Sequence, residues 1–267
     1  MEAAVRGNLF MLRASILGSV VGAVLVLVAG TTESFAVTVA PGTPYSEPFV
    51  TGPTTPGKWG SPVIGTGATV TWSLMGSGLD TDGFTTTSAL STFMPAGFES
   101  AIQAAFDAWS AVADLTFVNV PDSGDAFNAP GAAGDIRIAG HMFDGAGGTL
   151  AHGFFAPDNG VSAAGDIHFD IAEAWKIGFG GPGFDIFQVM AHEIGHAIGL
   201  SHTSVPDSLM NPFYSEAFFG PQADDIAGAQ FLYGPAAVPL PAALPLFGSA
   251  LLLLGFMRWR NQKRASA

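Results

Sequence analysis

The stretch from His192 to His202, HEIGHAIGLSH, constrains the fold of this chain more than any other. His192 and His196 are four residues apart, so on a helix both imidazoles project from one face and can reach one metal ion. Glu193 lies beside that face, where it can contact a metal-bound water without ligating the ion. Gly199 permits a sharp turn that can return His202 as a third ligand. Three protein ligands with an open fourth position are the arrangement of a catalytic zinc site.

The first 36 residues are predicted to be a secretory signal peptide. A basic start precedes an apolar run from Ile16 to Ala29, and a small residue follows at Ala36, where a signal peptidase would cut. Cleavage after Ala40 is an alternative. An uncleaved membrane anchor is a second alternative, but the run is shorter than the roughly 20 residues that a membrane span needs.

The C-terminal segment, residues 236–267, has three parts in a fixed order. The motif VPLPA at 238–242 precedes a short apolar stretch from Ala243 to Met257 and a basic tail. This order resembles the PEP-CTERM type of bacterial sorting signal in its VPLPA variant. The resemblance implies export to the cell surface or extracellular matrix of a Gram-negative bacterium, transient membrane association and processing by an exosortase-type enzyme. A plain C-terminal anchor is the alternative, with its basic tail on the cytoplasmic side.

The composition of the middle of the chain excludes several classes of partner and site. Between positions 37 and 243 the sequence has 3 basic and 20 acidic residues, which disfavours nucleic acid and anionic lipid. Clustered carboxylates suit calcium, although most of these acidic residues need no role beyond solubility. The chain has no cysteine, so it has no disulfide, no thiolate zinc site and no cysteine-based latency switch.

The middle divides into a Pro/Gly/Thr-rich lead-in, residues 37–66, and a folded domain, residues 67–235. Helical spacing of apolar residues predicts three helices, at 98–112, 185–200 and 222–233. Short alternating or β-branched runs predict five strands, at 68–74, 115–120, 135–139, 149–155 and 166–170. Residues 76–97 are predicted to form a loop.

Eight residues after His202, Met210 stands in the sequence SLMNP, where its thioether would form a floor under the three histidines. Together with Gly199 and Thr203, this pattern resembles the metzincin zinc peptidases. Within that group it resembles the matrixin (matrix metalloproteinase-like, M10) catalytic domain, over about residues 68–234. The resemblance implies an α+β domain. In it a twisted, mostly parallel sheet with an antiparallel edge strand would pack on two long helices, with a C-terminal helix beside them.

The resemblance also implies metal ions besides the catalytic Zn²⁺. A second, structural zinc would be bound by the other three of the six histidines, which are His141, His152 and His168. Calcium would be bound by Asp144, Asp170 and Glu173, and another calcium by Asp166. The chain departs from matrixins because no aspartate stands two residues after His141, so no fourth ligand is identified. For His152 the alternative is a strand histidine with ordinary hydrogen bonds.

The function that the resemblance implies is a secreted or surface-sorted zinc endopeptidase acting on extracellular polypeptides. Glu193 would serve as general base toward a zinc-activated water. An extended substrate would add to the edge strand at Leu150 and Ala151, and Pro212 and Tyr214 would line the specificity pocket. The alternative is a catalytically weak, zinc-bearing module that binds surface or matrix proteins.

Overall fold

The computed structural model describes residues 57–81, 85–127, 129, 131–156 and 163–237, together with Leu253, Phe256 and Arg258. The predicted signal peptide, most of the lead-in and most of the predicted sorting signal lie outside these residues and stay predictions. Within the part of the chain that is described, none of the helices has the length and apolar character needed to cross a membrane.

Five strands form the main sheet in the spatial order β2-β1-β3-β5-β4. The first four strands in that order run parallel, and β4 pairs antiparallel with β5 at one edge. In chain order the strands are β1 Ala68–Leu74, β2 Leu115–Asn119, β3 Ile136–His141, β4 Ala151–Gly153 and β5 Ile167–Asp170. The predicted domain of helices packed with a mostly parallel sheet and one antiparallel edge strand is confirmed.

Between residues 57 and 237, the described part of the chain has three helices beside the sheet: α1 Phe98–Ser110, α2 Ile186–Ala197 and α3 Ala223–Tyr233. Helix α1 buries one stripe of residues at helical spacing and leaves the opposite face exposed. Every residue of α2 is buried, which makes it the central helix of the domain. The side chain of Asp185 caps α2 by accepting a hydrogen bond from the backbone N–H of Gln188.

The core fills the space around α1, α2 and the sheet. Trp109 of α1 is fully buried, and its indole N–H donates to the carbonyl of Ala191 in α2 at 2.8 Å. On the sheet side, Trp72 of β1 stacks on Phe106 of α1 with ring centroids 4.7 Å apart. Burial of aromatic rings of this size contributes much of the stability of a small domain. The position of α2, and therefore of the histidines on it, is set by this packing.

Several predicted boundaries differ from the structure. The structure contains a short parallel pair, β6 Trp175–Lys176 and β7 Phe184–Asp185, in a region without a predicted strand. The predicted loop at 76–97 contains a 3-10 turn, Leu90–Thr92, and Ser88 pairs with Gly140 of β3. Helix α2 ends before the predicted residue 200, because the backbone leaves helical geometry at the turn that follows Ala197.

The end of the predicted lead-in is packed on the domain. Trp59 belongs to the main hydrophobic core, and Lys58 beside it is also buried. The Lys58 ammonium group donates to two backbone carbonyls, those of Trp59 and Ser61, at 2.9 and 2.6 Å. Residues from 57 onward are therefore part of the folded structure.

Candidate active site and metal centres

The structure brings together His192, His196 and His202, which we call the zinc triad. The first two project from one face of α2, and the third follows the turn at the end of that helix. The Nε2 atom of His202 lies 3.2 Å from that of His192 and 3.1 Å from that of His196. Three ring nitrogens thus meet at one point, as the helical spacing predicts.

Backbone carbonyls determine which ring nitrogens face the centre of the triad. Nδ1 of His192 lies 2.6 Å from the carbonyl oxygen of Leu209, and Nδ1 of His196 lies 2.8 Å from that of Leu200. A carbonyl can only accept, so Nδ1 carries the proton in each ring and Nε2 presents a lone pair. Lone pairs that converge in this way repel one another unless a cation lies between them. The donor set therefore fits a zinc ion.

The same environment keeps the triad neutral. Burial, with neighbouring His196 and His202, lowers the pKa of His192 well below its usual value. Burial lowers the pKa of His196 to about 3 and that of His202 to about 4. Neutral imidazole is the form that ligates metal ions, so no proton has to leave before binding at neutral pH.

Two glycines allow the local geometry of the triad. Gly199 has a φ of +105°, a left-handed conformation that L side chains rarely adopt, and it lets the chain turn toward His202. A Cβ atom on Gly195 would overlap the sulfur of Met210. Met210 is buried, so its thioether packs directly on the backbone of α2 between the two helical histidines. Met210 thus lies where the sequence predicts a floor.

Asp225, in the first turn of α3, holds the segment that carries Met210. Its carboxylate accepts hydrogen bonds from the backbone N–H groups of Leu209 (2.7 Å), Met210 (2.9 Å) and Gln222 (2.7 Å), and from the hydroxyl of Ser208. No pattern in the sequence predicts this role of Asp225. The only available signal was an acidic residue in the first turn of a helix, which favours the helix dipole wherever it occurs.

Glu193 is fully buried beside the triad. Neither of its carboxylate oxygens has a hydrogen-bond partner within the described residues. Burial raises the pKa of Glu193 well above its usual value, and the nearby backbone amide of Gly153 offsets part of this effect. A buried carboxyl group without a partner is costly, and such groups are typical of functional sites.

Among the described residues, the edge strand β4 pairs with β5 on one side and has a free side opposite it. The carbonyl of Leu150 accepts a hydrogen bond from β5 at 2.8 Å, and the N–H of Phe154 donates to the residue before β5 at 2.9 Å. In an antiparallel ladder the backbone groups of alternate residues point to opposite sides. Those of Ala151 and Gly153 therefore point away from β5. The backbone of Gly153 packs against Glu193, so this free side adjoins the triad.

Tyr214 fixes the segment after Met210 to the start of α2. Its hydroxyl accepts a hydrogen bond from the N–H of Asp185 at 2.9 Å and donates to Glu216 at 2.6 Å. Gln188, fully buried one turn before His192, accepts from the N–H of Gly220 at 3.0 Å. Pro212, two residues before Tyr214, is buried. The segment is thus held as a wall against the start of α2, and its contact with substrate stays a prediction.

The remaining histidines form a second group, which we call the sheet cluster. His141, His152 and His168 come from β3, β4 and β5, and the strand register sets His152 opposite His168. Nε2 of His152 lies 3.1 Å from Nδ1 of His168. Burial and the nearby His141 lower the pKa of His152 to about 3. Three neutral imidazoles within reach of one ion fit a metal, and the cluster includes no carboxylate from the described residues.

Asp144, Asp170 and Glu173 lie around the loop before β4. Glu173 accepts a hydrogen bond from the N–H of Gly147 at 2.6 Å, and Asp144 accepts one from the N–H of Thr149 at 3.0 Å. Burial and the charges of Asp170 and Asp144 raise the pKa of Glu173. One oxygen of Asp170 is buried without a partner within the described residues. Among the described residues, the groups that bring three ligand atoms within 4.8 Å of one another are the two histidine groups. A calcium ion shared by these three carboxylates therefore stays a prediction.

Asp166 lies fully buried beside a buried cation. One of its oxygens accepts a hydrogen bond from the N–H of Arg137 at 2.8 Å, and the other has no partner among the described residues. The Arg137 guanidinium forms a two-bond ion pair with Asp122, at 2.9 Å for each bond. The charge of Arg137 supports ionised Asp166, although burial raises the pKa of that carboxyl group well above its usual value. Asp166 belongs to neither group of converging metal ligands in the described chain, so calcium at this residue stays a prediction.

Fold and site together define a mixed α/β protein with a helix-borne metal triad, and comparison with known proteins gives its family. The Matrixin (Peptidase_M10) model matches residues 81–234, more than half of the chain, so the chain belongs to the matrixin family. Relatives include stromelysin-3 of Xenopus laevis and matrix metalloproteinase-20 of Homo sapiens. Each is 42% identical over 149 residues, covering 54% and 51% of this chain and 29% and 28% of the relative.

A bacterial relative is karilysin of Tannerella forsythia. It is 38% identical over 144 residues, which cover 51% of this chain and 28% of karilysin. The chain thus spans less than a third of the length of these relatives. The match coincides with the part of the chain that carries the zinc triad, Glu193 and Met210.

Proposed function

We propose that this protein is a zinc-dependent endopeptidase that hydrolyses extracellular polypeptides. The observation that carries the proposal is the convergence of three Nε2 atoms, next to the buried carboxyl group of Glu193, which has no partner in the described chain. Membership of the matrixin family supports the same activity.

Glu193 is proposed to be the general base. When bound at the triad, zinc supplies a Lewis acid that acidifies a water molecule and polarises the scissile carbonyl group. Glu193 accepts the proton from the attacking water and passes it to the leaving amine. Because Glu193 is fully buried, few other groups compete with it for that proton. Met210 and Gly195, in contact beneath the triad, hold the ligands in place.

The free side of β4 is proposed to bind the substrate backbone. An extended peptide would pair with the outward N–H and C=O groups of Ala151 and Gly153, as in strand addition. The peptide would then lie beside Glu193. The carbonyl group of Leu150 bonds to β5, so Leu150 would offer fewer backbone hydrogen bonds to a substrate than Ala151. Side-chain selection would take place at the wall formed by Pro212 and Tyr214.

Cleavage of an unstructured, quenched peptide library by the purified protein tests this function. We expect the protein to hydrolyse the peptides, a chelator to abolish this activity and added zinc to restore it. The His202→Ala variant should show no hydrolysis at neutral pH. Stable binding of the same peptides without cleavage, by a folded and zinc-loaded protein, would instead favour the surface or matrix binding module.

We further propose that the sheet cluster binds a second zinc and that Asp144, Asp170 and Glu173 bind calcium, with Asp166 ligating another calcium. Metal analysis of the dialysed protein should give two zinc ions per chain, and His168→Ala should retain one. Calcium should raise the melting temperature, and Asp170→Asn should reduce that increase. A single zinc in the parent protein, or no effect of calcium, would contradict these assignments.

Export is proposed from the two terminal segments. Signal peptidase would remove residues 1–36, and an exosortase-type enzyme would process the VPLPA segment after transient membrane association. The mature protein would then be found at the cell surface or in the extracellular matrix of a Gram-negative bacterium. N-terminal sequencing of secreted protein should begin at Val37, and deletion of residues 238–267 should change its distribution between cells and medium.

A further inference from the structure

The packed end of the lead-in contacts the turn between two ligands of the zinc triad. The indole N–H of Trp59 donates to the carbonyl of Ala197, the last residue of α2, at 2.7 Å. The backbone N–H of Trp59 donates to the hydroxyl of Tyr233 at 2.9 Å. That hydroxyl in turn donates to the carbonyl of Ile198 at 2.8 Å. All of these bonds are buried.

The two carbonyls concerned belong to the end of a helix. The last carbonyl groups of an α-helix have no partner within the helix, and an unsupported end frays. Ala197 and Ile198 lie directly after His196 and shortly before His202, so fraying here would separate two zinc ligands. Trp59 and Tyr233 satisfy both groups from outside the helix. The lead-in and α3 therefore support the same turn.

The turn is also fixed on its inner side. The N–H of Gly199 donates to the carbonyl of His196, and that of Leu200 donates to the carbonyl of Gly195, both at 2.8 Å. The carbonyl of Leu200 then accepts from Nδ1 of His196. A Cβ atom on Gly199 would overlap the carbonyl oxygen of Gly57, so the lead-in backbone packs directly on the turn. Any shift of this turn therefore moves the ring of His196 as well as the approach of His202.

We propose that Trp59 is a positioning residue for the catalytic metal. It holds the turn between His196 and His202 in the geometry that binds zinc, so metal binding does not have to order the turn. The inference rests on the proposed zinc site and extends it to the lead-in. N-terminal processing would therefore matter for zinc binding. A chain cut before residue 57 keeps the hydrogen bond from Trp59 to α2, and a chain that begins at residue 66 loses it.

The test is the zinc affinity of Trp59→Phe, measured by competition with a chromophoric chelator. All variants are made in full-length protein that also carries His152→Ala. This change removes one proposed ligand of the sheet cluster, at its least buried histidine, so that bound zinc reports on the triad alone. Phenylalanine keeps an aromatic ring and removes the N–H donor. Loss of one hydrogen bond of ordinary strength corresponds to about fivefold weaker zinc binding. The kcat at saturating zinc should return to within about twofold of the parent.

Trp72→Phe is the matched control. Trp72 lies in the same core, so replacing it by a smaller ring should lower stability. Its indole N–H has no hydrogen-bond partner in the described chain, so the change removes no hydrogen bond and should leave zinc affinity unchanged. Tyr233→Phe removes the donor to Ile198 and should weaken zinc binding like Trp59→Phe. Unchanged zinc affinity in Trp59→Phe and Tyr233→Phe, or equal weakening in Trp72→Phe, would overturn the proposal. A background protein that binds no zinc would overturn the proposed zinc site itself.

Discussion

Replacement of Asp225 by asparagine tests how the floor beneath the triad is held. One carboxylate oxygen accepts from Leu209 and Gln222, and the other from Met210 and Ser208. An asparagine loses least if its NH₂ group faces Met210 and Ser208, because the serine hydroxyl can reverse and accept. The N–H of Met210 is then buried without a partner, and the remaining bonds lose their charge assistance.

We expect Asp225→Asn to lower the free energy of unfolding by about 3 kcal/mol, since an unpaired buried N–H costs about 1–3 kcal/mol and bonds to a charged group are the stronger ones. Urea unfolding at fixed zinc concentration measures this change. Asp224→Asn is the control. It removes the same charge from the same helical turn, but the side chain of Asp224 is exposed. Its expected loss is below about 1 kcal/mol. Equal losses in the two variants would refute the assigned role of Asp225.

Three further predictions concern the turn and the buried ion pair. Gly199→Ala should prevent zinc retention after dialysis, because φ is +105° and the new Cβ would displace the carbonyl of Gly57. Arg137→Met should cost about 3–5 kcal/mol in urea unfolding, because Asp122 loses the fully buried cation that it pairs with. Lys176→Met, at the more exposed pair with Glu216, should cost under about 1 kcal/mol. Burial alone raises the pKa of Asp122, but hydrogen bonds from Arg137 and its neighbours hold it below the usual value. The pair therefore stabilises the fold above about pH 4 and should lose this contribution as pH falls further, as acid titration of stability would show.

Features with a local periodic signal could be predicted from the sequence. The spacing of His192 and His196 requires only a helix to place both rings on one face, and the apolar face of α1 has the same origin. Strand β5 and the histidine within it follow from a short β-branched and aromatic run. The antiparallel edge strand came from the resemblance to a family, since no local pattern distinguishes an edge strand from a central one.

Contacts between distant parts of the chain could not be predicted in this way. Trp59 stands in a Pro/Gly/Thr-rich segment whose composition indicates a loose linker, and nothing local shows that it caps α2. The role of Asp225 depends on the tertiary position of the segment around Met210. Strands β6 and β7 have two residues each, too few for any periodicity. Each of these features is a long-range contact with no regular spacing in the sequence.

The most direct test of the central claim compares the parent protein with Glu193→Gln at equal zinc content. We expect the variant to bind zinc as the parent does, because Glu193 is not a proposed ligand, and to hydrolyse peptide at least about a hundredfold more slowly. Peptide hydrolysis within about tenfold of the parent rate, by a variant shown to hold its zinc, would contradict the assignment of Glu193 as the general base.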